Sequence, residues 1–336
     1  MKFVYAVRGR LPWGENNANH ALKQRISKIM FYRGHKNFFL CICQKVMYER
    51  GTNKIFKGGK MSTLLRRWFR LSIVLFLFVL LPRLAFAVNF YDGSRARQGL
   101  YFLTYTYAYF ADETTDKSGK SLSKDFGLFS AQEILRLCYY SPDFVATVVV
   151  PFGYTKISSL DQESFGLGDI SVGAGYFLPI KKVDILPMLF MKFPTGEYRA
   201  AKAANIGSNQ YDIAPMVFIH KTIGKFSVDA AVKYYFRLEN NATDTLPGDE
   251  LHLQGLLGYN VTDKFKLGPS VNWMISKNKE QGGSTVSGSA REKLSVGADF
   301  YYRFSWLGVT LTYLYDVYAE NSTKGHFLQL KTVYRF

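Results

Sequence analysis

The stretch Phe226-Ser-Val-Asp-Ala-Ala-Val-Lys-Tyr-Tyr-Phe-Arg-Leu-Glu239 decides how the chain is read. Phe226, Val228, Ala230, Val232, Tyr234, Phe236 and Leu238 fall on one parity; Ser227, Asp229, Ala231, Lys233, Tyr235, Arg237 and Glu239 fall on the other. Successive side chains of a strand point to opposite faces, so this segment has one apolar face and one that carries full charges. Lys293–Ser305 repeats the pattern, with Leu294, Val296, Ala298, Phe300, Tyr302 and Phe304 opposite Lys293, Ser295, Asp299 and Arg303. Leu251, Leu253, Leu257 and Tyr259 likewise alternate with Glu250, His252, Gln254 and Asn260. A water-soluble sandwich alternates in the same way, so period alone does not choose between a polar face turned to water and one turned inward.

Length and turn layout make the choice. Twelve segments carry the alternation: 99–110, 126–140, 143–152, 166–178, 184–193, 209–221, 224–238, 249–261, 264–276, 291–304, 307–318 and 325–336. Most reach the roughly 9–11 residues that a tilted strand needs to cross a bilayer, beyond the ~5–6 usual in soluble sheets. Their connections alternate between short turns such as Ser141-Pro142 and Thr262-Asp263 and long loops such as Pro194–Ser208 and Lys277–Ala290. That is the layout of an all-β, closed antiparallel transmembrane barrel of about 12 strands, with short turns in the periplasm and long loops outside. Within 126–140, Gln132, Glu133 and Arg136 blur the alternation, and Pro187, Pro215 and Pro269 fall inside strands, where they should mark bulges or ends.

The formal charge of +17 suggests a polyanionic partner until it is located. Residues 1–60 hold 13 of the 43 basic residues and 2 of the 26 acidic ones; residues 61–87 add Arg66, Arg67, Arg70 and Arg83, which leaves 88–336 nearly balanced. Nucleic-acid binding therefore has no support in 88–336. Met61–Ala87 has the basic, apolar and small-x-small regions of a secretory signal peptide, with Ala85 and Ala87 as the cleavage signature; a short membrane anchor is the alternative. Residues 1–60 fit poorly before such a signal and are read as an upstream extension from a mis-assigned start, or as a disordered basic tail. Cys138 is the lone cysteine after Ala87, which leaves no disulfide or thiolate cage to expect. No metal or cofactor is expected.

The final segment places Leu328, Leu330, Thr332, Tyr334 and the terminal Phe336 on one face, which resembles the recognition signal of the outer-membrane barrel-assembly machinery. Gly166-Leu-Gly-Asp-Ile170, Phe193-Pro-Thr-Gly-Glu-Tyr198, Gly207, Gln210-Tyr-Asp-Ile-Ala-Pro215, Gly248-Asp-Glu-Leu-His252 and Ala319-Glu-Asn321 follow one another in an order that resembles the outer-membrane family named after the meta-pathway of phenol degradation. The resemblance covers roughly 99–336. It implies an outer-membrane location, contact with outer-membrane lipid, and a channel or transporter for small aromatic or hydrophobic solutes. It supplies no catalytic residue.

The charges on the polar faces are the candidate functional groups: Asp169, Asp229, Lys233, Arg237, Glu250, His252, Asp299, Arg303, Lys331 and Arg335. In a barrel they line the lumen, either as a conduction path or as pairs that satisfy one another in a filled interior. Tyr101, Tyr105, Tyr107 and Tyr109, and Tyr313, Tyr315 and Tyr318, either line an aromatic path or sit in the interfacial girdles. His220, His252 and His326 match no hydrolase motif; a barrel lipid-modifying enzyme is the remaining, weaker class, beside a structural barrel that acts through its loops. If the leader is read correctly, N-terminal peptide mapping of the membrane-extracted protein will begin at Val88; any peptide upstream of Met61 refutes the late start.

Overall fold

The computed structural model describes residues 88–336. The expected signal peptide at 61–87, with its expected cleavage residues Ala85 and Ala87, and the expected extension 1–60 lie outside the described residues. Twelve staves close into one antiparallel barrel: β1 (Gly99–Thr115), β2 (Leu128–Tyr140), β3 (Phe144–Ile157), β4 in two pieces (Gln162–Leu167 and Ser171–Tyr176), β5 (Asp184–Lys192), β6 (Asp212–Ile223), β7 (Phe226–Arg237), β8 (Glu250–Asn260), β9 (Phe265–Ser276), β10 (Glu292–Arg303), β11 (Gly308–Glu320) and β12 (Thr323–Arg335). Each pairs with its sequence neighbours, and β12 returns to β1 over a register that runs from Tyr101↔Arg335 to Thr114↔Thr323. Closure leaves no free sheet edge to satisfy, which is the condition for a sheet to exist in hydrocarbon.

The two parities separate as the sequence predicts. Val232, Leu189, Leu257, Phe300 and Leu311 point outward and are exposed, whereas Asp229, Lys233, Asp299 and Lys331 are buried in the lumen. Strand β1 departs from this: Tyr101, Tyr105, Tyr107 and Tyr109 face inward and form a buried cluster with Ile134, Val149 and Phe327. They are lumen residues rather than girdle residues, while Tyr313 and Tyr315 are exposed on the outward parity. The blurred pattern in β2 also resolves. Gln132 and Arg136 line the lumen, and Glu133 points the other way and accepts a 2.5 Å hydrogen bond from Thr106 Oγ1.

The prolines sit where pairing lapses. Pro215 lies in a gap between the pairs Ile213↔Phe236 and Met216↔Lys233, and Pro269 in one between Leu256↔Ser270 and Tyr259↔Leu267. Pro187 lies one residue beyond the last β4–β5 pair, Gly175↔Met188. Each is a place where a missing N–H breaks no ladder bond. The expected single strand 166–178 is instead interrupted. Leu167 faces Phe152 and Ser171 faces Val149, so three residues of β4 stand against two of β3, one of them Pro151. This surplus bends the strand as a bulge does. The upper piece of β4 then pairs with β3 alone, and the lower piece with both β3 and β5.

Above the rim, Thr245–Leu246, Glu280–Gln281 and Ser284–Thr285 form a small three-stranded sheet between two long loops. Val232 is 45% exposed in the middle of β7 and gives a direct test of the lipid-facing assignment. Val232→Arg is expected to destabilise the refolded barrel by about 2–4 kcal/mol in denaturant titrations in lipid, with Val232→Leu near neutral.

Candidate lumen pathway

Residues 88–98 enter the barrel and occupy part of its lumen. Asn89 is 0% exposed. Its amide donates to Asp299 Oδ1 at 3.1 Å and Thr312 Oγ1 at 2.9 Å and accepts from Gln329 Nε2 at 2.8 Å. The Tyr91 amide donates to Asp229 Oδ1 at 2.8 Å, and Asp92 takes an ion pair from Lys331. Gly93 lies so close to the wall that a Cβ there would meet the Ile219 amide nitrogen and the Phe218 Cβ at 3.0 Å. Arg95 ends the insertion: its amide donates to Asp184 and its guanidinium to the Pro142 and Leu178 carbonyls. Val88 and Phe90 join the apolar lumen cluster of Phe177, Leu186, Met216 and Phe218. These residues form a plug, and sequence reasoning missed it. The one signal for it was the polar and aromatic run Asn89-Phe-Tyr-Asp92 ahead of the first alternation.

The plug leaves two cavities. The upper one, about 360 Å³, is walled by Tyr105, Ile134, Phe190, Met216, Phe218 and Tyr235, with Asp169, Lys192, Asp212 and Lys233 among its polar lining. The lower one, about 680 Å³, opens near the short-turn rim against Tyr140, Tyr301, Arg303, Lys331 and Arg335. Asp92 and Arg136 line both, so they mark the waist between them.

All ten predicted polar-face residues belong to the lumen side, but the structure distributes them over several clusters. At the upper rim Arg237 Nη1 reaches Glu250 Oε1 at 2.6 Å, Arg291 binds the same oxygen, and His252 Nε2 lies 3.1 Å from Oε2. Lower down, His220 Nδ1 lies 2.7 Å from Asp229 Oδ1, and its Nε2 lies 3.3 Å from Thr222 Oγ1. A hydrolytic relay would use the same order of groups, yet Asp229 also receives the plug amide, so the group serves as an anchor for the inserted segment. His326 lies outside the lumen against Tyr313. In the loops, burial opposes ionisation of Asp249, but hydrogen bonds from Lys277, the Arg237 amide and Tyr234 hold its carboxyl below the ordinary range; the same contact raises the Lys277 ammonium.

Asp169 has a separate task. It sits in the break of β4 and accepts from the Gly196 amide at 3.0 Å, the Ser208 amide at 2.7 Å and Ser208 Oγ at 2.6 Å, with Lys192 at 3.8 Å. Gly196 and Gly207 stack here, where a Cβ on either would fall within 2.9 Å of Asp169 Oδ1. Thr195 Oγ1 accepts from the Ile170 amide, and the Phe193 and Glu197 amides donate to the Ile170 and Leu167 carbonyls. The loop after β5 thus takes over the pairing that the broken strand cannot make, and it forms the wall of the upper cavity at Ile206 and Gly207. Asp169→Ala removes charge-assisted bonds of about 1.5 kcal/mol or more each, so trypsin cleavage of intact cells after Arg199 or Lys202 should accelerate about tenfold.

The barrel is similar to the solved COG4313 outer membrane channel from Pseudomonas putida F1: TM-score 0.69, 20% identity, 74% of this chain and all of that one covered. The NanC porin (TM-score 0.44, 10% identity, 70% of this chain and 100% of that one) and the beta domain of the Bordetella autotransporter BrkA (TM-score 0.46, 9% identity, 71% and 99%) are more distant barrels. No curated protein matches the sequence. The family model described as "Putative MetA-pathway of phenol degradation" matches residues 111–332, two thirds of the chain and all but the ends of the barrel. Closed barrel, lipid-facing apolar belt and family match agree: the chain is an outer-membrane β-barrel and belongs to that phenol-degradation family.

Proposed function

We propose that the barrel carries small solutes with an aromatic or apolar body across the outer membrane, by way of the upper cavity, the waist at Asp92 and Arg136, and the lower cavity. The observation that carries this reading is the pair of cavities in series on either side of the plug. A barrel of twelve strands is wider than the ~8 that side chains alone fill and narrower than the ~16 that leave an open aqueous channel. Here a peptide segment takes up the difference and leaves solute-sized voids. The walls of the upper void suit a ring or short chain, with Phe190, Phe218 and Met216 on the apolar side and hydrogen-bonding groups between them. Passage of this kind needs no catalytic residue, and the outer-membrane partners it implies are lipid and the assembly machinery that would read Leu328, Leu330, Tyr334 and Phe336.

A second reading is a closed structural barrel, favoured by the complete burial of Asn89 and its three wall partners. Planar-bilayer recordings separate the two. The channel reading expects a small conductance from the intact protein and an increase of several-fold, on the order of what freeing a narrow pore allows, when Asn89→Ala and Asp92→Ala release the plug. No current and no liposome solute uptake in either protein would establish the closed barrel instead.

A further inference from the structure

Resting on the reading of the lumen as a conduit, we infer that the solute it selects is an organic anion, an aromatic or apolar body with one anionic head, held at the waist by Arg136. The way the lumen pairs its charges points to this. At the upper rim four cations meet carboxylates: Lys192 meets Asp212 at 2.5 Å, Lys293 meets Asp316 at 3.1 Å, and Arg237 and Arg291 share Glu250. The lower cavity is different. Arg97, Arg136, Arg303 and Arg335 all line it, and among the described residues none of the four has a carboxylate within 4.0 Å. Their hydrogen-bond partners are neutral. Arg136 Nε donates to Thr147 Oγ1 at 3.0 Å and Nη1 to Tyr105 OH at 3.3 Å; Arg303 donates to the Asp263 carbonyl and Arg335 to the Gln98 carbonyl. Asp92 is the acid at the waist, and Lys331 already engages it.

A charge withdrawn into a protein wall is ordinarily paired, an expectation that among the four applies to Arg136; Arg97, Arg303 and Arg335 are exposed around the lower mouth, where like charges focus their field on mobile ions of the opposite sign. Four guanidiniums around one cavity therefore favour an anion at that place. Arg136 is the one of the four that also lines the upper cavity. Its guanidinium carbon lies 5.7 Å from the centre of the Phe190 ring, beside Tyr105. A planar fork next to aromatic walls fits a carboxylate or sulfonate whose ring rests in the upper cavity while the head points to the waist. The three lower arginines then draw the head onward to the periplasmic mouth.

Reversal potentials of single channels test this with two permanently charged probes of the same body, benzenesulfonate and benzyltrimethylammonium. In salt gradients the intact protein is expected to favour benzenesulfonate over potassium and to exclude benzyltrimethylammonium. Arg136→Gln should lower the benzenesulfonate-to-potassium permeability ratio about tenfold, the loss of one charge-assisted contact, with Arg136→Lys intermediate. Heat-modifiable mobility of each variant on semi-native gels establishes that its barrel is closed, and Arg303→Gln with Arg335→Gln provides a second variant at the lower rim, expected to shift the ratio in the same direction. Equal passage of the two probes through the intact protein, or an unchanged ratio in both variants, overturns the anion proposal while leaving the conduit. Absence of any current, with the plug in place or released, overturns the conduit and the proposal together.

Discussion

The hydrogen-bonded seam between β1 and β12 is the constraint on which the rest depends. It runs from Tyr101↔Arg335 to Thr114↔Thr323 and converts an open sheet into a closed ring. Lipid offers the backbone no alternative partner, so a sheet with even one unsatisfied edge would not persist there. Closure then dictates the side chains. Each strand has one face for hydrocarbon and one for an enclosed space, and every ionised group that the strands carry in mid-membrane has to find its compensation inside. The salt bridges of Lys192, Lys293, Lys331 and Glu250 are the consequence. Where compensation within the wall is absent, as around Arg97 and Arg136, the interior holds a field rather than a pair.

The ring is complete but not uniform. Between Leu167 and Ser171 the surplus residue opposite Pro151 interrupts β4, and a loop bound to Asp169 covers the interruption. Three sequence motifs far apart in the chain, Gly166–Ile170, Phe193–Tyr198 and Gly207, converge on this one place. Their glycines are explained by contact: Gly196 and Gly207 lie backbone to backbone, and a side chain on either would force them apart. The same covering loop lines the upper cavity, so the integrity of the wall and the shape of the solute space rest on one carboxylate.

Strand number, strand positions and the lumen parity of the charged residues were all legible in the sequence, because alternation is imposed by lipid on one side and by enclosure on the other. The interior of β1 was less so. Tyrosine satisfies both a girdle and a lumen, and Tyr101–Tyr109 alternate with outward Phe102, Thr104 and Thr106 in a way that period alone cannot orient. The interruption of β4 shows in the sequence only as a change of outward parity, from Phe165 and Leu167 to Val172 and Tyr176 across Gly168-Asp169-Ile170, and the neighbouring Pro151 opposite the surplus residue has no period to announce it. The plug was illegible for a different reason. Residues 88–98 have no period, and their partners Asp229, Asp299 and Gln329 read from the sequence as ordinary lumen residues. The histidines were scattered as expected for side chains with local duties: His220 with Asp229, His252 with Glu250, His326 with Tyr313.

Asn89 has a temporal implication as well as a spatial one. Its three partners stand on β10, β11 and β12, between 210 and 240 residues further along the chain. The first described residues can therefore settle only after the last strands have been laid down, so maturation of the lumen is a late event even though its occupant is synthesised early. During assembly this segment must wait in the nascent ring without its partners, and the order of synthesis is the reverse of the order of completion.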